Sequence, residues 1–248
     1  MKFEVIVLGV GDAFSERYYP ASMLLCYEGQ YLAIDCPDRY RAVLRHTAER
    51  SGRPLDLSKI NDFVITHVHG DHMAGIEMIG FYKVYREEGK RLKLHTTQEV
   101  RDVIWDERLK GSMGHISEGQ EVRERHFEDF FNYSPLAWNG VNRIGPFSVK
   151  IRRTKHHVPT SALLVEAGGR KLGYSCDTAF DPDLIAFLEP ADLIFHETNI
   201  GPAHTDLKRL LDLPDHVKTK MRLIHYPDWF DCDDSKIITL REGEILTV

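Results

Sequence analysis

Thr66-His67-Val68-His69-Gly70-Asp71-His72 packs three imidazoles and one carboxylate into the six residues from His67 to His72, directly after the apolar run Phe63-Val64-Ile65. A strand carries the chain into the core here, and its end presents neutral nitrogen and anionic oxygen donors. Such donors suit Zn(II), and also Mn(II) or Fe(II). His67 and His69 alternate, so extended backbone puts both on one side. Asp71 and His72 follow on a turn and can face a second ion. The apolar spacing beyond predicts a helix that begins near Met73 and runs through Ile76, Ile79, Phe81 and Val84. Surface histidines are the bland alternative. That accounts for scattered histidines, not for an HxHxDH string behind a buried strand. Two ions need more than four ligands, so further donors are expected downstream.

Upstream, residues 2–8 read as a strand that Gly9 and Gly11 break. Glycines after a first strand can cradle a pyrophosphate. Here Phe14 stands where the third glycine should be and no helix pattern follows, so that reading fails. Ser22 to Tyr27 and Tyr31 to Ile34 form a strand pair turned at Glu28-Gly29-Gln30. Asp35 ends the third strand, where its carboxylate either supports a metal-binding histidine or caps the turn. Tyr40 to Arg50 reads as a helix with Ala42, Val43, Leu44 and Ala48 facing inward.

Downstream, Leu92-Lys93-Leu94 is a short strand ending at His95, and Thr97 to Leu109 a helix with Thr97 as N-cap. His115 and His126 fall in polar sequence and read as loop histidines. The aromatic stretch Phe127 to Trp138 reads as core rather than a pocket lid. Phe147 to Arg153 is a strand followed by Lys155-His156-His157-Val158-Pro159. Ser161 to Glu166 and Lys171 to Ser175 form a hairpin that delivers Asp177. Asp183 to Leu188 is a short helix, and Leu193-Ile194-Phe195 a buried strand leading to His196-Glu197. His204 to Leu211 reads as helical, and Met221 to Ile224 as a strand ending at His225. Ile237 to Leu240 and Glu244 to Val248 read as a final hairpin turned at Glu242-Gly243. No linker, repeat or low-complexity stretch divides residues 1–248, so one α/β domain is expected.

The 42% hydrophobic and 28% charged residues describe a globular chain, and no run reaches the roughly 18 apolar residues of a membrane span. The start, Met1 to Val7, lacks the pattern of a signal peptide. Cys26, Cys36, Cys176 and Cys232 are scattered without a CxxC pair, which fits a reduced, cytoplasmic setting. A net charge of −6 argues against a broad nucleic-acid surface. It leaves room for a small nucleotide held by metal.

Thr66 to His72 resembles the signature of the metallo-β-lactamase-fold hydrolases. Leu8-Gly9-Val10-Gly11 resembles the opening glycine turn of that superfamily. Tyr174-Ser175-Cys176-Asp177-Thr178 resembles its "GDT" motif, with Cys176 where glycine is usual. Phe195-His196-Glu197-Thr198 resembles the "HEAT" segment of the ribonuclease Z and phosphodiesterase branch. The resemblance implies a four-layer αββα sandwich, a metallo-β-lactamase-like domain over residues 1–248, and two divalent metal ions, Zn(II) foremost. It implies that His67, His69 and His156 hold the first ion, that Asp71, His72 and His225 hold the second, and that Asp177 bridges them. The residues alone leave His156 and His157 both open; the family places its ligand three residues before a proline, which selects His156. They also leave Asp177 open as a helix cap and His225 as a satisfied strand-end histidine.

The same resemblance implies hydrolysis by a metal-bridging hydroxide, with Asp71 at the reacting centre, His204 as proton donor to the leaving group, and Glu197 orienting it. Glu197 and His204 are otherwise structural. No long basic, glycine-rich arm of the kind that grips transfer RNA lies between Tyr174 and His225, so an extended tRNA surface is not expected. The expectation is a phosphodiesterase acting on a small phosphodiester, such as a cyclic nucleotide or a short nucleic-acid end, with a homodimer a fair guess from the branch. The alternatives are an acyl ester, thioester or lactam hydrolase on the same site, or a metal-binding sensor without turnover.

Overall fold

Two sheets face each other across a layer of side chains contributed by both. The computed structural model describes residues 1–248. The first sheet contains β1 (Glu4–Gly9), β2 (Ser22–Tyr27), β3 (Gln30–Ile34), β4 (Asp62–Val64) and β5 (Leu92–Thr96). β6 (His115–Glu118) and β7 (Glu121–Glu124) form a separate hairpin, and β8 (Phe131–Pro135) returns to the first sheet beside β5. The second sheet contains β9 (Asn142–Ile144), β10 (Phe147–Arg153), β11 (Ser161–Ala167), β12 (Arg170–Tyr174), β13 (Leu193–Glu197) and β14 (Met221–Ile224). β15 (Ile245–Thr247) joins the first sheet against β1.

Both sheets follow one plan. Antiparallel strands come first, β1 to β3 in one sheet and β9 to β12 in the other. Parallel strands follow, β3 to β5 and β8 in one, β12 to β14 in the other. Parallel pairing needs long crossovers, and these carry the helices to the outer faces. On the first sheet they are α1 (Tyr40–Ser51), α2 (Gly70–Met73), α3 (Ile76–Arg86), α4 (Gln98–Val103), α5 (Lys110–Met113) and α6 (Phe127–Phe130). On the second they are α7 (Pro182–Leu188), α8 (Leu207–Leu211) and α9 (Asp215–Lys218).

Side-chain alternation sorts each strand between layers. Val5 and Val7 enter the central core with Met23, Leu25, Val149, Leu163 and Phe195, while Ile6, Leu8 and Leu24 turn outward to pack with Val43, Leu44, Ile76 and Ile79. Ala162, Leu164, Ile194 and Leu223 likewise meet Leu184, Leu188 and Leu210 on the far side. Strands buried on both faces read as near-continuous apolar runs, and the result is the expected αββα order. Phe127, Phe130 and Phe131 are buried beside Trp105 in the outer core, so the aromatic stretch is core. No helix is long and apolar enough to cross a membrane.

Several local expectations change. The helix after the histidine motif starts at Gly70, not near Met73, and breaks at Ala74-Gly75 before α3 resumes. The Gly75 N–H leaves the helical pattern to bond the Cys36 carbonyl at 2.9 Å, and a Cβ on Gly75 would lie 2.2 Å from the Pro37 carbonyl oxygen, so the chain leaving β3 packs against the break. In α1, Tyr40, Val43, Leu44 and Thr47 are the buried residues, with Ala42 and Ala48 at the flanks. The helix from Thr97 narrows to α4 and widens into a π turn over Ile104–Leu109, through which Trp105 and Leu109 stay buried. His204 lies in a loop; α8 starts only at Leu207, where Asp206 accepts the Lys208 N–H at 2.8 Å. The exposed β6–β7 hairpin and α9 carry too few apolar residues to signal themselves.

The final hairpin does not form. Ile238 and Leu240 instead bond the edge strand β14, with Leu223 N donating to the Ile238 carbonyl at 2.8 Å and Leu240 N to the Leu223 carbonyl at 2.9 Å. The chain then turns at Gly243 and adds β15 to the edge of the other sheet. Each sheet leaves an edge of unpaired backbone groups on this side, and one tail segment pairs with both.

Candidate metal centre

Seven donors converge at one edge, where strands from both sheets end. β4 leads into His67, His69, Asp71 and His72; β10 leads to His156, β12 to Asp177 and β14 to His225. Nε2 of His67 lies 3.1 Å from Nδ1 of His69, which lies 3.1 Å from Nε2 of His156. Oδ2 of Asp177 faces this trio at 3.8 Å from His67 and 3.7 Å from His156. His156, rather than His157, contributes the nitrogen; His157 stands on the wall of the cleft above.

The second group forms around Oδ2 of Asp71, 3.2 Å from Nε2 of His72 and 3.3 Å from Nε2 of His225. Oδ1 of Asp177 lies 3.4 Å from His72 and 3.5 Å from His225. One carboxylate thus turns an oxygen to each group. Nε2 of His72 and Oδ1 of Asp177 are buried and make no hydrogen bond. Orphaned buried polar atoms are costly, and a divalent cation at each group would satisfy them. Three nitrogens with one oxygen, and two nitrogens with two oxygens, are donor sets that fit such ions.

The electrostatics divide the same way. Burial holds His67 well below the usual imidazole range and His156 down to about 4, so both are neutral donors. Burial also works against a charge on His72, but Asp71, Asp177 and Asp35 outweigh it and raise its pKa well above the usual value. Burial would raise Asp71 and Asp177; the facing His72 and His225 overcome that and keep both carboxyls ionised.

Behind the donors stands a layer of groups that aim them. Asp35 is fully buried; it accepts from Thr66 N at 2.9 Å, Thr66 Oγ1 at 2.8 Å and His72 Nδ1 at 2.8 Å. That bond leaves Nε2 of His72 to face Asp71 and Asp177. His67 Nδ1 donates to Thr66 Oγ1 at 3.1 Å, and His156 Nδ1 to the Ala203 carbonyl at 3.2 Å. Cys176 Sγ, also fully buried, reaches Thr66 Oγ1 at 3.1 Å. Cys176 occupies the left-handed region at φ 49°, as do Asp35 at 62° and His225 at 58°. Glycine adopts that conformation without strain, and cysteine here holds it only because its neighbours fix it. Three strained residues around one site mark backbone bent to aim side chains.

Glu197 is fully buried at the end of β13. Its Oε1 accepts from Thr178 N at 2.6 Å and from His204 Nδ1 at 3.0 Å. Burial, then Asp177, pushes its carboxyl well above the usual value. The His204 ring stacks on His225 with centroids 5.5 Å apart and lines the same cleft of about 590 Å³ as Asp71, His156 and Asp177. His196, by contrast, faces away into the core, where it bonds the Glu197 carbonyl. His115 is exposed on β6, and His126 precedes α6 in a capping box. Asp12, Phe14, Asn199 and Trp229 also line the cleft; they come from loops that carry no periodic or motif signal.

Residues 3–241 match the family described as Anti-Pycsar protein Apyc1. The chain is 29% identical, over an alignment of 263 residues covering 100% of both chains, to the Anti-Pycsar protein Apyc1 of Paenibacillus sp. (strain J14). Its fold is similar to that of the metallo-beta-lactamase fold protein YhfI from Bacillus subtilis, with a TM-score of 0.77 and 18% identity over 99% of each chain. It is also similar to the short form of human tRNase Z, with a TM-score of 0.68 and 21% identity over 98% of each chain. The architecture is that of the metallo-β-lactamase fold, with ribonuclease Z-like proteins among its neighbours.

Proposed function

The chain belongs to the anti-Pycsar protein Apyc1 family, and from that premise we propose that it is a dinuclear metal-dependent phosphodiesterase acting on small phosphodiesters such as cyclic nucleotides. It would share the anti-Pycsar role for which the family is described. The observation that carries this reading is Asp177, whose two oxygens face two separate donor groups on the floor of one cleft. His67, His69 and His156 would hold one cation, and Asp71, His72 and His225 the other. Bound there, the pair, Zn(II) foremost, would supply a water ionised near neutral pH and positive charge for the phosphoryl oxygens.

The chain's own groups supply positioning and the proton. Asp35 and the Ala203 carbonyl fix the tautomers of His72 and His156, which keeps their Nε2 lone pairs on the metal side. Glu197 holds His204 by Nδ1, so its Nε2 is left to protonate the departing oxygen. The cleft, about 590 Å³, is of the size that encloses a small ligand, and an acidic chain offers no broad track for a polynucleotide.

Turnover of bis(p-nitrophenyl) phosphate, with and without chelator, tests this directly. Chelation should abolish hydrolysis, and added Zn(II) or Mn(II) should restore it. His204→Ala should lower kcat about 10²–10⁴-fold on an alkyl phosphodiester and far less on the p-nitrophenyl ester, whose leaving group needs no proton. Turnover of acyl esters or thioesters that is indifferent to His204→Ala, with none of phosphodiesters, would overturn the assignment in favour of an acyl hydrolase.

A further inference from the structure

Eight large apolar side chains are exposed, and three of them stand at one rim: Phe14 at 89%, Trp229 at 65% and Ile200 at 62%. All three line the cleft that holds Asp71, Asp177 and His204. Exposed apolar groups gathered beside a cavity mark a contact site. They sit on three different loops, and each loop is tied down next to its apolar residue. Asp12 accepts from Phe14 N at 3.0 Å and from Asn199 Nδ2 at 3.0 Å, and Asn199 Oδ1 accepts from Ile200 N at 2.8 Å. Asp228, next to Trp229, accepts from Ser15 Oγ, from Glu16 N at 2.9 Å and from Arg17 N at 3.4 Å, while Arg17 Nη1 donates to the Asp228 carbonyl at 2.9 Å. The rim is therefore built before any ligand arrives.

Charge tells the two ends of the cleft apart. Past Ile200 and Trp229 it continues into a hollow of about 390 Å³ bordered by Leu207, Phe230 and the carboxylates Asp206, Asp231 and Asp234. A phosphoryl group is repelled there. A hydrocarbon chain gains nothing from three carboxylates. A nucleobase fits both features: it is planar and neutral, and its N–H edges donate to carboxylates while its face stacks on aromatic rings.

We propose that Phe14, Trp229 and Ile200 are specificity-determining residues, forming a platform on which the base of a nucleotide substrate lies while its phosphoryl group sits over Asp177. The phosphoryl end rests on the phosphodiesterase reading above; the base end stands on the rim alone. Stacking has a face for every base, so the platform accepts purines and pyrimidines and favours the larger purine surface.

Two measurements decide it. The first compares a nucleoside 3′,5′-cyclic phosphate with methyl ribofuranoside 3′,5′-cyclic phosphate, which has no base. Phe14→Ala and Trp229→Ala should each lower the kcat/KM preference for the nucleotide about 5- to 100-fold. An unchanged preference overturns the platform, as does a preference for p-nitrophenyl octanoate that either substitution removes. The second needs no turnover: adenosine 5′-monophosphate should quench tryptophan emission of the protein as isolated, ribose 5-phosphate should not, and the quenching should vanish in Trp229→Phe. Equal quenching by both ligands, or none by either, overturns the platform. A protein that cleaves neither diester yet shows the adenosine-specific quenching keeps the platform and loses the phosphodiesterase assignment.

Discussion

The two sheets share a plan but load the site differently. The first delivers His67, His69, Asp71 and His72 from one strand end, within six residues; the second delivers His156, Asp177 and His225 from three strand ends far apart in sequence. Neither half completes a donor group alone. His156 crosses over to join His67 and His69, His225 to join Asp71 and His72, and Asp177 serves both. Local sequence chemistry can pack half a site into one loop. The other half exists only once the second sheet brings the distant ends of β10, β12 and β14 to one edge.

Removing the shared residue is the most severe way to probe this division. Asp177→Ala should cost both groups a ligand, lower turnover by at least about 10³-fold and reduce bound metal below two equivalents by elemental analysis. If both equivalents stay, the two groups are independent and the cross-sheet picture breaks. Asp35→Asn acts one layer back and only on the first sheet's loop. It should weaken the ion at His72 about 10- to 100-fold while leaving the His67 group loaded, which a metal titration would resolve.

The metal-free protein sharpens the contrast through pH. His67 and His156 have pKa values below the usual imidazole range, so the stability they contribute is present above about 6.5 and is lost as pH falls towards their native values. His72 and His225 have pKa values above it, so theirs is present below about 6.5 and is lost as pH rises through their native values. The thermal midpoint of chelator-treated protein should therefore peak near neutrality and fall on both sides. A midpoint that climbs steadily from pH 5 to 9 would mean that the two groups do not differ in protonation. The smallest effect is expected from Cys176→Gly. Relief of left-handed strain gains about 1–2 kcal/mol, and loss of the buried thiol and its contact to Thr66 costs about as much. The midpoint should move little.

How much of this is legible in the sequence follows from the same division. The donors His67 to His72 announce themselves because nothing else accounts for such density behind Phe63-Val64-Ile65. His156, Asp177 and His225 look like any strand-end polar residues until the family resemblance picks them out, His156 by its place three residues before a proline and Asp177 by the "GDT" motif. Alternation sets β10 because one of its faces is buried and the other half-open. The helix break at Gly75 escapes periodicity because the Cys36 carbonyl that takes the Gly75 N–H lies far back in the chain. The tail misleads for a similar reason: two apolar stretches around Glu242-Gly243 read as partners, whereas the edges that claim them belong to different sheets. Phe14 illustrates the limit. Its presence excludes a dinucleotide turn, yet only the folded loops show that it overlooks Asp177.

The crossing tail has a mechanical consequence. Because Ile238 and Leu240 bond β14 while Ile245 to Thr247 bond β1, one short stretch of chain clasps the edges of both sheets together. The donor loops are the jaws of a gauge whose opening is fixed from outside. Cutting the chain at Gly243 should let the jaws drift, spoiling the spacing of the two donor groups without touching a single residue in either.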